Sequence, residues 1–243
     1  MFQTKELCKS YGALRAVHEV TLDIGPGVHS IIGPNGAGKT TLFNLLTGFL
    51  SPTSGKIIYM GKDITGLPPF KVSQLGVSRS FQITSLFPDL TVYENIRIAV
   101  QSRLRASYNF LISSKSLEGV QEKTQNVLKQ LSLTRFEGLE VRNLSYGLQR
   151  VLDIGISLAT DPKLILLDEP TSGMDRADAK QVIQLVSEIS TKIPIVLIEH
   201  NIDIVLSISD IITVMYQGTI LAQDTPNEIQ QNEKVQEAYL GGY

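Results

Sequence analysis

The sequence predicts an α/β fold with a largely parallel sheet, and three observations support this prediction. Short runs that are apolar on both faces, as buried parallel strands are, alternate with helical stretches. A glycine-rich segment stands between one such strand and a helix, which gives the order strand, loop, helix. A polar stretch that is poor in strand-forming residues begins near residue 91, so we expect a helical subdomain inserted into the α/β pattern.

The predicted elements follow from periodicity and from turn residues. The first strands are alternating or apolar runs, and a turn cluster at residues 51–55 precedes the third. Thr91 and Glu94 form a capping-box pattern at the start of the helical stretch. Thr225, Pro226 and Glu228 mark the start of a last helix. The predicted strands are residues 17–24, 28–32, 56–60, 164–167, 194–198, 211–215 and 219–222, and the predicted helical segments are residues 40–47, 91–136 and 177–190.

Composition limits the class of protein. The chain has 243 residues, of which 42% are hydrophobic and 19% charged, and these values are ordinary for a globular domain. The formal net charge of −2 gives no general electrostatic case for binding nucleic acid. Cys8 is the single cysteine and is expected to be a small apolar residue in a first strand. Since neither a signal peptide nor a run long enough to span a membrane is apparent, we expect a soluble cytosolic chain that reaches a membrane only through a partner.

The glycine-rich segment carries the clearest chemical signal. Residues 33–40 match the pattern G-x-x-x-x-G-K-[ST] in full, between a predicted strand and a predicted helix. Glycines let backbone N–H groups turn inward around phosphate oxygens, and the helix that follows directs its positive end at them. Lys39 is expected to reach the β- and γ-phosphates, and the Thr40 hydroxyl to bind Mg²⁺. The predicted nucleotide-binding residues of this segment are Gly33, Pro34, Asn35, Gly36, Ala37, Gly38, Lys39, Thr40 and Thr41.

A second signal is a pair of acidic residues directly after a predicted buried strand. Asp168 and Glu169 follow four apolar residues, a pattern that places carboxylates at the end of a strand. Alone, such a pair is about as often a helix cap or a solvated turn. Beside a phosphate-binding loop, we expect Asp168 to hold Mg²⁺ directly or through water, and Glu169 to act as the general base toward the attacking water.

The signature segment makes the resemblance specific. Residues 144–150 read Leu-Ser-Tyr-Gly-Leu-Gln-Arg and resemble the L-S-G-G-Q signature of ABC (ATP-binding-cassette) ATPases, upstream of Asp168 as in that family. The resemblance covers essentially the whole chain and implies ATP as ligand and Mg²⁺ as cofactor. It also implies roles for residues that alone suggest only an ordinary aromatic, loop amide, core histidine or helix cap. These are Tyr11 for adenine stacking, Gln82 for sensing the metal and the attacking water, residues 172–175 for the dimer interface, His200 for the γ-phosphate, and Ser145 and Gly147 for the γ-phosphate of a partner subunit.

Two positions depart from the common signature. Tyr146 stands where glycine is usual, and Leu148 stands where glutamine is usual. Leu148 removes an amide that could support the signature loop. We therefore expect Ser145 and Gly147, rather than position 148, to contact the γ-phosphate.

The resemblance also implies an architecture and partners. The fold would be a P-loop NTPase core with a mostly parallel sheet, an N-terminal antiparallel β subdomain and an inserted helical subdomain. Residues 1–243 would form a single domain, with the β subdomain and core in about 1–90 and 160–243 and the helical subdomain in about 91–159. Each ATP would lie between the phosphate loop of one subunit and the signature of another, so a second ATPase subunit, identical or paralogous, is implied.

The segments 79–95, 144–147, 198–201 and 239–241 look like those of importers for branched-chain and other hydrophobic amino acids. This implies a place beneath two membrane permeases at the cytoplasmic face, supplied indirectly by an extracytoplasmic binding protein. Residues 83–91 are where we expect a permease helix to dock, with Leu86, Phe87 and Leu90 as the socket. These three side chains are equally consistent with packing the insertion onto the core. An exporter or lipid-transport ATPase, a soluble ABC ATPase and a nucleotide-binding regulator without turnover remain alternatives.

Overall fold

The computed structural model describes residues 2–80, 86–103 and 114–240, and confirms an α/β fold built around two sheets. Within the described residues, no helix is both long and apolar enough to cross a membrane. The strands are β1 (Phe2–Tyr11), β2 (Leu14–Ile24), β3 (Val28–Ile32), β4 (Ser54–Tyr59), β5 (Lys62–Asp63), β6 (Val77–Arg79), β7 (Leu164–Asp168), β8 (Ile195–Ile198), β9 (Ile211–Tyr216) and β10 (Thr219–Asp224). The helices are α1 (Lys39–Leu46), α2 (Pro69–Gln74), α3 (Val92–Gln101), α4 (Ser114–Gln130), α5 (Tyr146–Ala159), α6 (Arg176–Ser190), α7 (Ile202–Ile208), α8 (Pro226–Gln231) and α9 (Glu233–Leu240).

The central sheet has six strands in the order β10-β9-β3-β8-β7-β6. Strands β9, β3, β8, β7 and β6 pair in parallel, and only β10 joins antiparallel. Every residue of β3, β7 and β8 is buried, which explains why β8 and the first four residues of β7 are apolar on both faces. Strand β3 also buries two polar residues, His29 and Ser30. Since parallel strands end at the same edge of a sheet, the segments that follow β3, β7 and β8 meet there.

The second sheet is the predicted antiparallel β subdomain. Its four strands lie in the order β2-β1-β4-β5, and all its pairings are antiparallel. Side chains of β1, β2 and β4 share one apolar core with α1 and with the central sheet. The helix that follows the phosphate loop therefore packs against both sheets, which ties the loop to each of them.

The described parts of the inserted segment contain the helices α3 and α4, in agreement with the predicted helical stretch. Helix α3 begins with the expected capping box, in which the Thr91 hydroxyl accepts a hydrogen bond from the Glu94 N–H and the Glu94 carboxylate accepts one from the Thr91 N–H. Helices α3, α4 and α5 share a second apolar core with α6 and with β7 and β8. This core extends beneath the central sheet, so the helices of the insertion do not stand apart from the α/β core.

Several short elements lie where no element was predicted, among them β5, β6, α2, α7 and α9. Strand β6 has only three residues, Val77–Arg79, which is too short to show a periodicity. Helix α2 begins at Pro69 and α7 ends after seven residues, so neither gives a long apolar stripe. Helix α9 follows α8 after a single residue, Asn232, where one helix was predicted. Strand β1, by contrast, was expected as a first strand around Cys8, and it extends over Phe2–Tyr11.

Candidate functional site

The phosphate loop leads from β3 into α1, and its glycines allow close backbone contacts. A Cβ atom at Gly33 would lie 2.2 Å from the Met215 carbonyl oxygen, and one at Gly38 would lie 2.3 Å from the Ala16 carbonyl oxygen. Gly38 also has a φ of 99°, which side-chain-bearing residues rarely adopt. The Gly218 N–H donates to the Ala37 oxygen at 3.1 Å. The β9–β10 hairpin and the start of β2 therefore pack directly against the loop.

Lys39 is the first residue of α1 and is 7% exposed. Its ammonium donates to the carbonyl oxygens of Gly33 at 2.6 Å and Pro34 at 3.0 Å, so the side chain folds over its own loop. Burial lowers the pKa of Lys39, and the negative charges of Glu169 and Asp168 oppose this shift. The site thus holds a cation over a glycine-rich loop at the start of a helix, an arrangement suited to phosphate.

Glu169 and His200 meet at the carboxyl edge of the sheet. Glu169 follows β7, His200 follows β8 after one residue, and Nε2 of His200 lies 2.8 Å from Oε1 of Glu169. Glu169 adopts a left-handed φ of 49°, and its N–H donates to the Ile198 oxygen at 2.9 Å. This backbone conformation is uncommon for a non-glycine residue and is typical of positions where a side chain is turned toward a site.

Asp168, the last residue of β7, forms a buried ion pair with Arg79 of β6. One guanidinium nitrogen donates to Asp168 Oδ2 at 2.9 Å, and another donates to the Asn44 amide oxygen at 2.6 Å. Burial raises the pKa of Asp168, and the positive charge of Arg79 opposes this shift. Arg79 therefore connects the Asp168 carboxylate to α1, the helix that follows the phosphate loop.

These elements enclose an open cleft with a volume of about 570 Å³, a size that suits a nucleotide. It is lined by the phosphate loop, the carboxylate and imidazole described above, and the ends of β1 and β2. Its lining residues are Tyr11, Leu14, Arg15, Ala16, Asn35, Gly36, Ala37, Gly38, Lys39, Thr40, Thr41, Glu169, His200 and Gln217. Most of the predicted nucleotide-binding residues are thus brought together, with Gly33 and Pro34 beneath Lys39.

Two of the predicted binding residues lie elsewhere. Ser145 is the N-cap of α5, where its hydroxyl accepts a hydrogen bond from the Leu148 N–H at 3.4 Å. Gly147 packs against α6 so closely that a Cβ atom there would lie 2.4 Å from a carboxylate oxygen of Asp178. Neither residue lines the cleft as the described residues form it. The start of α5 therefore lies apart from the cleft of its own chain.

The signature loop is supported by a residue that sequence reasoning did not consider. The side-chain amide of Gln149 donates to the carbonyl oxygens of Val141 at 3.3 Å and Leu144 at 3.2 Å. Leu148 instead packs against the apolar core of the insertion. Leu148 thus supplies no amide to this loop, and the neighbouring Gln149 does.

Sequence reasoning also gave no role to Arg79 or Glu199. Arg79 is the last residue of a three-residue strand, and the sequence offers no signal that pairs it with Asp168. Glu199 stands between β8 and His200, and an acidic residue in a buried strand–loop junction is itself an indication of a partner. Gln82, predicted to be catalytic and to bind the metal, lies outside the described residues.

Comparison with known proteins agrees with this geometry. A family model described as "ABC transporter" matches residues 17–172, and one described as "Branched-chain amino acid ATP-binding cassette transporter" matches residues 219–243. The high-affinity branched-chain amino acid transport ATP-binding protein LivG of Escherichia coli (strain K12) is 38% identical, with 97% of this chain and 95% of LivG covered. The corresponding protein BraF of Pseudomonas aeruginosa is also 38% identical, with coverages of 99% and 98%.

A solved structure gives the same result for the fold. The crystal structure of the ADP conformation of an ATP-binding cassette of an ABC transporter superposes with a TM-score of 0.86. That chain is 31% identical to this one, and the superposition covers 99% of this chain and 98% of the other. The described strands and helices are therefore arranged as in a cassette that binds a nucleotide.

Proposed function

Because the chain belongs to the ABC transporter family and is an ATP-binding ATPase cassette, we propose that it powers an importer of branched-chain or other hydrophobic amino acids. The observation that carries the choice of substrate class is the near full-length similarity to LivG and BraF, both named as branched-chain amino acid transport proteins. The match of residues 219–243 to a family of the same description supports it independently of the nucleotide site.

The cleft suggests how ATP is held. Tyr11, at the end of β1, would stack on adenine, and the loop N–H groups from Gly36 to Thr41 would surround the phosphates. Lys39 would exchange its carbonyl contacts for the β- and γ-phosphates, which are stronger acceptors for an ammonium group. Binding by the loop requires little rearrangement, since Gly33 and Gly38 already pack directly against neighbouring backbone.

Hydrolysis would use the pair at the carboxyl edge of the sheet. Glu169 would accept the proton of the attacking water as general base, while His200 would contact the γ-phosphate. The two side chains lie 2.8 Å apart and line the same cleft as the phosphate loop, which supports this proposal. Gln82 is proposed on the resemblance alone, as a second group that orients the water.

The residues fit a magnesium ion of the kind held together with a nucleotide. No cluster of three or more His, Cys, Asp or Glu side chains suited to a metal occurs among the described residues, so an all-protein site is not present there. Mg²⁺ usually takes one or two protein oxygens plus phosphates and water, which suits a hydroxyl from Thr40 and a carboxylate from Asp168. The ion pair with Arg79 uses Oδ2 of Asp168, so Oδ1 would face the metal or its water. When bound, Mg²⁺ would neutralise charge that develops on the phosphates.

The position of the signature supports a dimer. Ser145 and Gly147 stand at the N-terminus of α5, whose N–H groups suit a phosphate, yet they lie outside the cleft of their own chain. A second subunit, identical or paralogous, would bring its own α5 N-terminus to this cleft and close it over ATP. ATP would favour the closed dimer through contacts to the γ-phosphate that ADP cannot make.

Residues 83–91 are proposed to contact a permease, and of these, residues 83–85 lie outside the described residues. Phe87 is 50% exposed, and its backbone N–H and carbonyl are both bonded to the buried Asn95 side chain, at 2.9 and 3.1 Å. Leu86 packs against the core of the insertion and Leu90 is half-buried, so Phe87 is the most exposed of the three predicted socket residues. The subunit would sit at the cytoplasmic face of the membrane, beneath the permeases, with an extracytoplasmic binding protein supplying substrate and with no role for nucleic acid.

The division of the chain is likewise a proposal. Residues of about 1–90 and 160–243 would move as the β subdomain and core, and residues of about 91–159 as the helical subdomain, all within one domain. The shared core of α3, α5 and α6 supports coupling between the two parts.

The test is to purify the Glu169→Gln variant from its native membranes with ATP and identify the proteins that accompany it by mass spectrometry. Two permeases and a second ATPase subunit are the expected companions, and amino acid uptake by membrane vesicles should require them. A preparation that contained only soluble partners would leave the ATPase assignment in place and contradict the transport proposal. The Lys39→Ala variant is the control, because it should not trap the ATP-dependent complex.

A further inference from the structure

We propose that Glu199 is a positioning residue for hydrolysis, whose buried carboxylate holds the loop after β7 and the loop after β8 at a fixed separation. Each of these loops carries one member of the Glu169–His200 pair. The inference rests on the function proposed above and adds a residue to the same site.

The hydrogen bonds of Glu199 join the two loops directly. Its side chain is buried, with the residue 4% exposed. Oε1 accepts a hydrogen bond from the Thr171 N–H at 3.1 Å and one from the Thr171 hydroxyl. Oε2 accepts one from the His200 N–H at 3.0 Å. One oxygen thus binds the loop after β7, and the other binds the loop after β8.

The partners of Glu199 lie beside the reacting groups in the chain. Thr171 is two residues beyond Glu169. The Ser172 N–H donates to the backbone carbonyl oxygen of Glu169 at 3.2 Å, so residues 169–172 form one compact turn. Holding Thr171 therefore holds this turn. The His200 N–H is bonded to the same carboxylate, so the peptide that carries the imidazole is held as well.

Energetics favour a specific role over simple packing. A carboxylate removed from water is costly unless its oxygens are well hydrogen-bonded, and an apolar residue of similar size would fill the same space without that cost. Glu199 meets the cost with donors from both loops. Since small displacements of groups around a reacting centre reduce rates steeply, a bridge of this kind acts on turnover more than on ATP binding.

The experiment compares substitutions at both ends of the bridge in the full-length chain. Thr171→Val removes the hydroxyl that bonds to Oε1 and keeps the N–H, while Thr171→Ser keeps both donors. Glu199→Gln replaces one carboxylate oxygen with an NH₂ group, which then faces a donor. Steady-state ATP hydrolysis is measured for each variant, together with the thermal midpoint Tm. We expect kcat to fall about tenfold in Thr171→Val and Glu199→Gln, with the KM for ATP within about twofold of wild type.

The matched serine variant decides between positioning and folding. Thr171→Ser should restore a wild-type kcat, because the bridge is intact. Wild-type kcat in both Thr171→Val and Glu199→Gln would overturn the proposal, and so would an equal loss of turnover in Thr171→Ser and Thr171→Val. The Thr171 pair carries the test even when Glu199→Gln does not fold. A wild-type chain that hydrolysed no ATP would instead contradict the proposed function, so the two failures are distinguishable.

Discussion

The guanidinium of Arg79 donates to the carboxylate of Asp168 at 2.9 Å, with side-chain exposures of 11% and 5%. This pair joins β6 to β7 beneath the phosphate loop, and the same guanidinium reaches the Asn44 amide of α1. A buried charge that loses its partner is strongly destabilising. We therefore expect Arg79→Gln to lower the free energy of unfolding by about 3–5 kcal/mol, measured by urea denaturation.

The chain supplies a matched control for that substitution. Arg142 pairs with Asp89 at 3.1 Å, but the two side chains are 58% and 79% exposed. Exposed pairs contribute little, so Arg142→Gln should cost less than about 1 kcal/mol. Equal losses for the two variants would mean that burial does not set the value of the Arg79 pair.

Lys39→Ala should abolish productive ATP binding. The Lys39 ammonium lies over the carbonyl oxygens of the phosphate loop. The methyl group of alanine carries no charge and cannot bind the phosphates in its place. Titration calorimetry with ATP and Mg²⁺ would measure the loss, with Lys180→Ala on the exposed side of α6 as control. Normal hydrolysis by Lys39→Ala would remove the phosphate-loop assignment.

Glu169→Gln should bind ATP with near wild-type affinity while hydrolysis falls by about a hundredfold or more, because the amide cannot accept the proton of the attacking water. The shape of the side chain is retained, so the cleft is unchanged. Measurement of hydrolysis and of ATP-dependent dimer by size-exclusion chromatography tests both parts. Wild-type turnover would exclude Glu169 as the base, and Glu237→Gln in α9 controls for a change of charge.

The buried His29 predicts a dependence of stability on pH. Burial lowers the pKa of His29 to about 4, with Asp23 opposing the shift, and the imidazole lies 2.7 Å from the Thr213 hydroxyl. The unfolded chain takes up the proton near pH 6.5, and the folded chain only near pH 4, so stability is highest above pH 6.5 and declines as the pH falls toward 4. Between pH 7.5 and 5, this group alone should cost about 2 kcal/mol.

The measurement is urea denaturation of wild type and His29→Gln across that range of pH. The variant should show a smaller decline, because glutamine does not titrate. Parallel curves that differ only by a constant would contradict the assignment of this pH dependence to His29.

Gly38→Ala should reduce both stability and ATP affinity. The added Cβ atom would lie 2.3 Å from the Ala16 oxygen, and alanine is strained at a φ of 99°. Gly119→Ala is the control, since a Cβ atom at Gly119 in α4 meets nothing within 4 Å, and alanine favours a helix by about 1 kcal/mol. A thermal melt should therefore move in opposite directions for the two variants. A stable Gly38→Ala that binds ATP would show that the contact with Ala16 relaxes freely.

The parts of the fold that the sequence predicts are those with a local signal. Strand β8 is a continuous apolar run, and so are the first four residues of β7. The glycine-rich motif of the phosphate loop marks the junction between a strand and a helix. The capping box at Thr91 is local as well, since both of its residues lie within one turn. Short elements such as β6 have no such signal, because three residues cannot display a period.

The candidate site was predictable to the same degree. Motif residues such as Lys39 and Glu169 are identified by their neighbours in the chain. The bond between Glu199 and Thr171 joins the loops that follow two different strands, and Arg79 and Asp168 are separated further still along the chain. Such contacts depend on which strands become neighbours, and a single sequence does not record that order.

The order of the central sheet has a consequence for how the chain is made. Strand β3, which leads into the phosphate loop, lies between β8 and β9, and the amide that binds Ala37 belongs to Gly218. A ribosome releases β3 long before these partners, so the growing chain carries an unpaired apolar strand until its C-terminal strands emerge. The capacity to bind nucleotide is therefore acquired late in synthesis. ATP would therefore stabilise this fold only after the C-terminal strands have paired with β3.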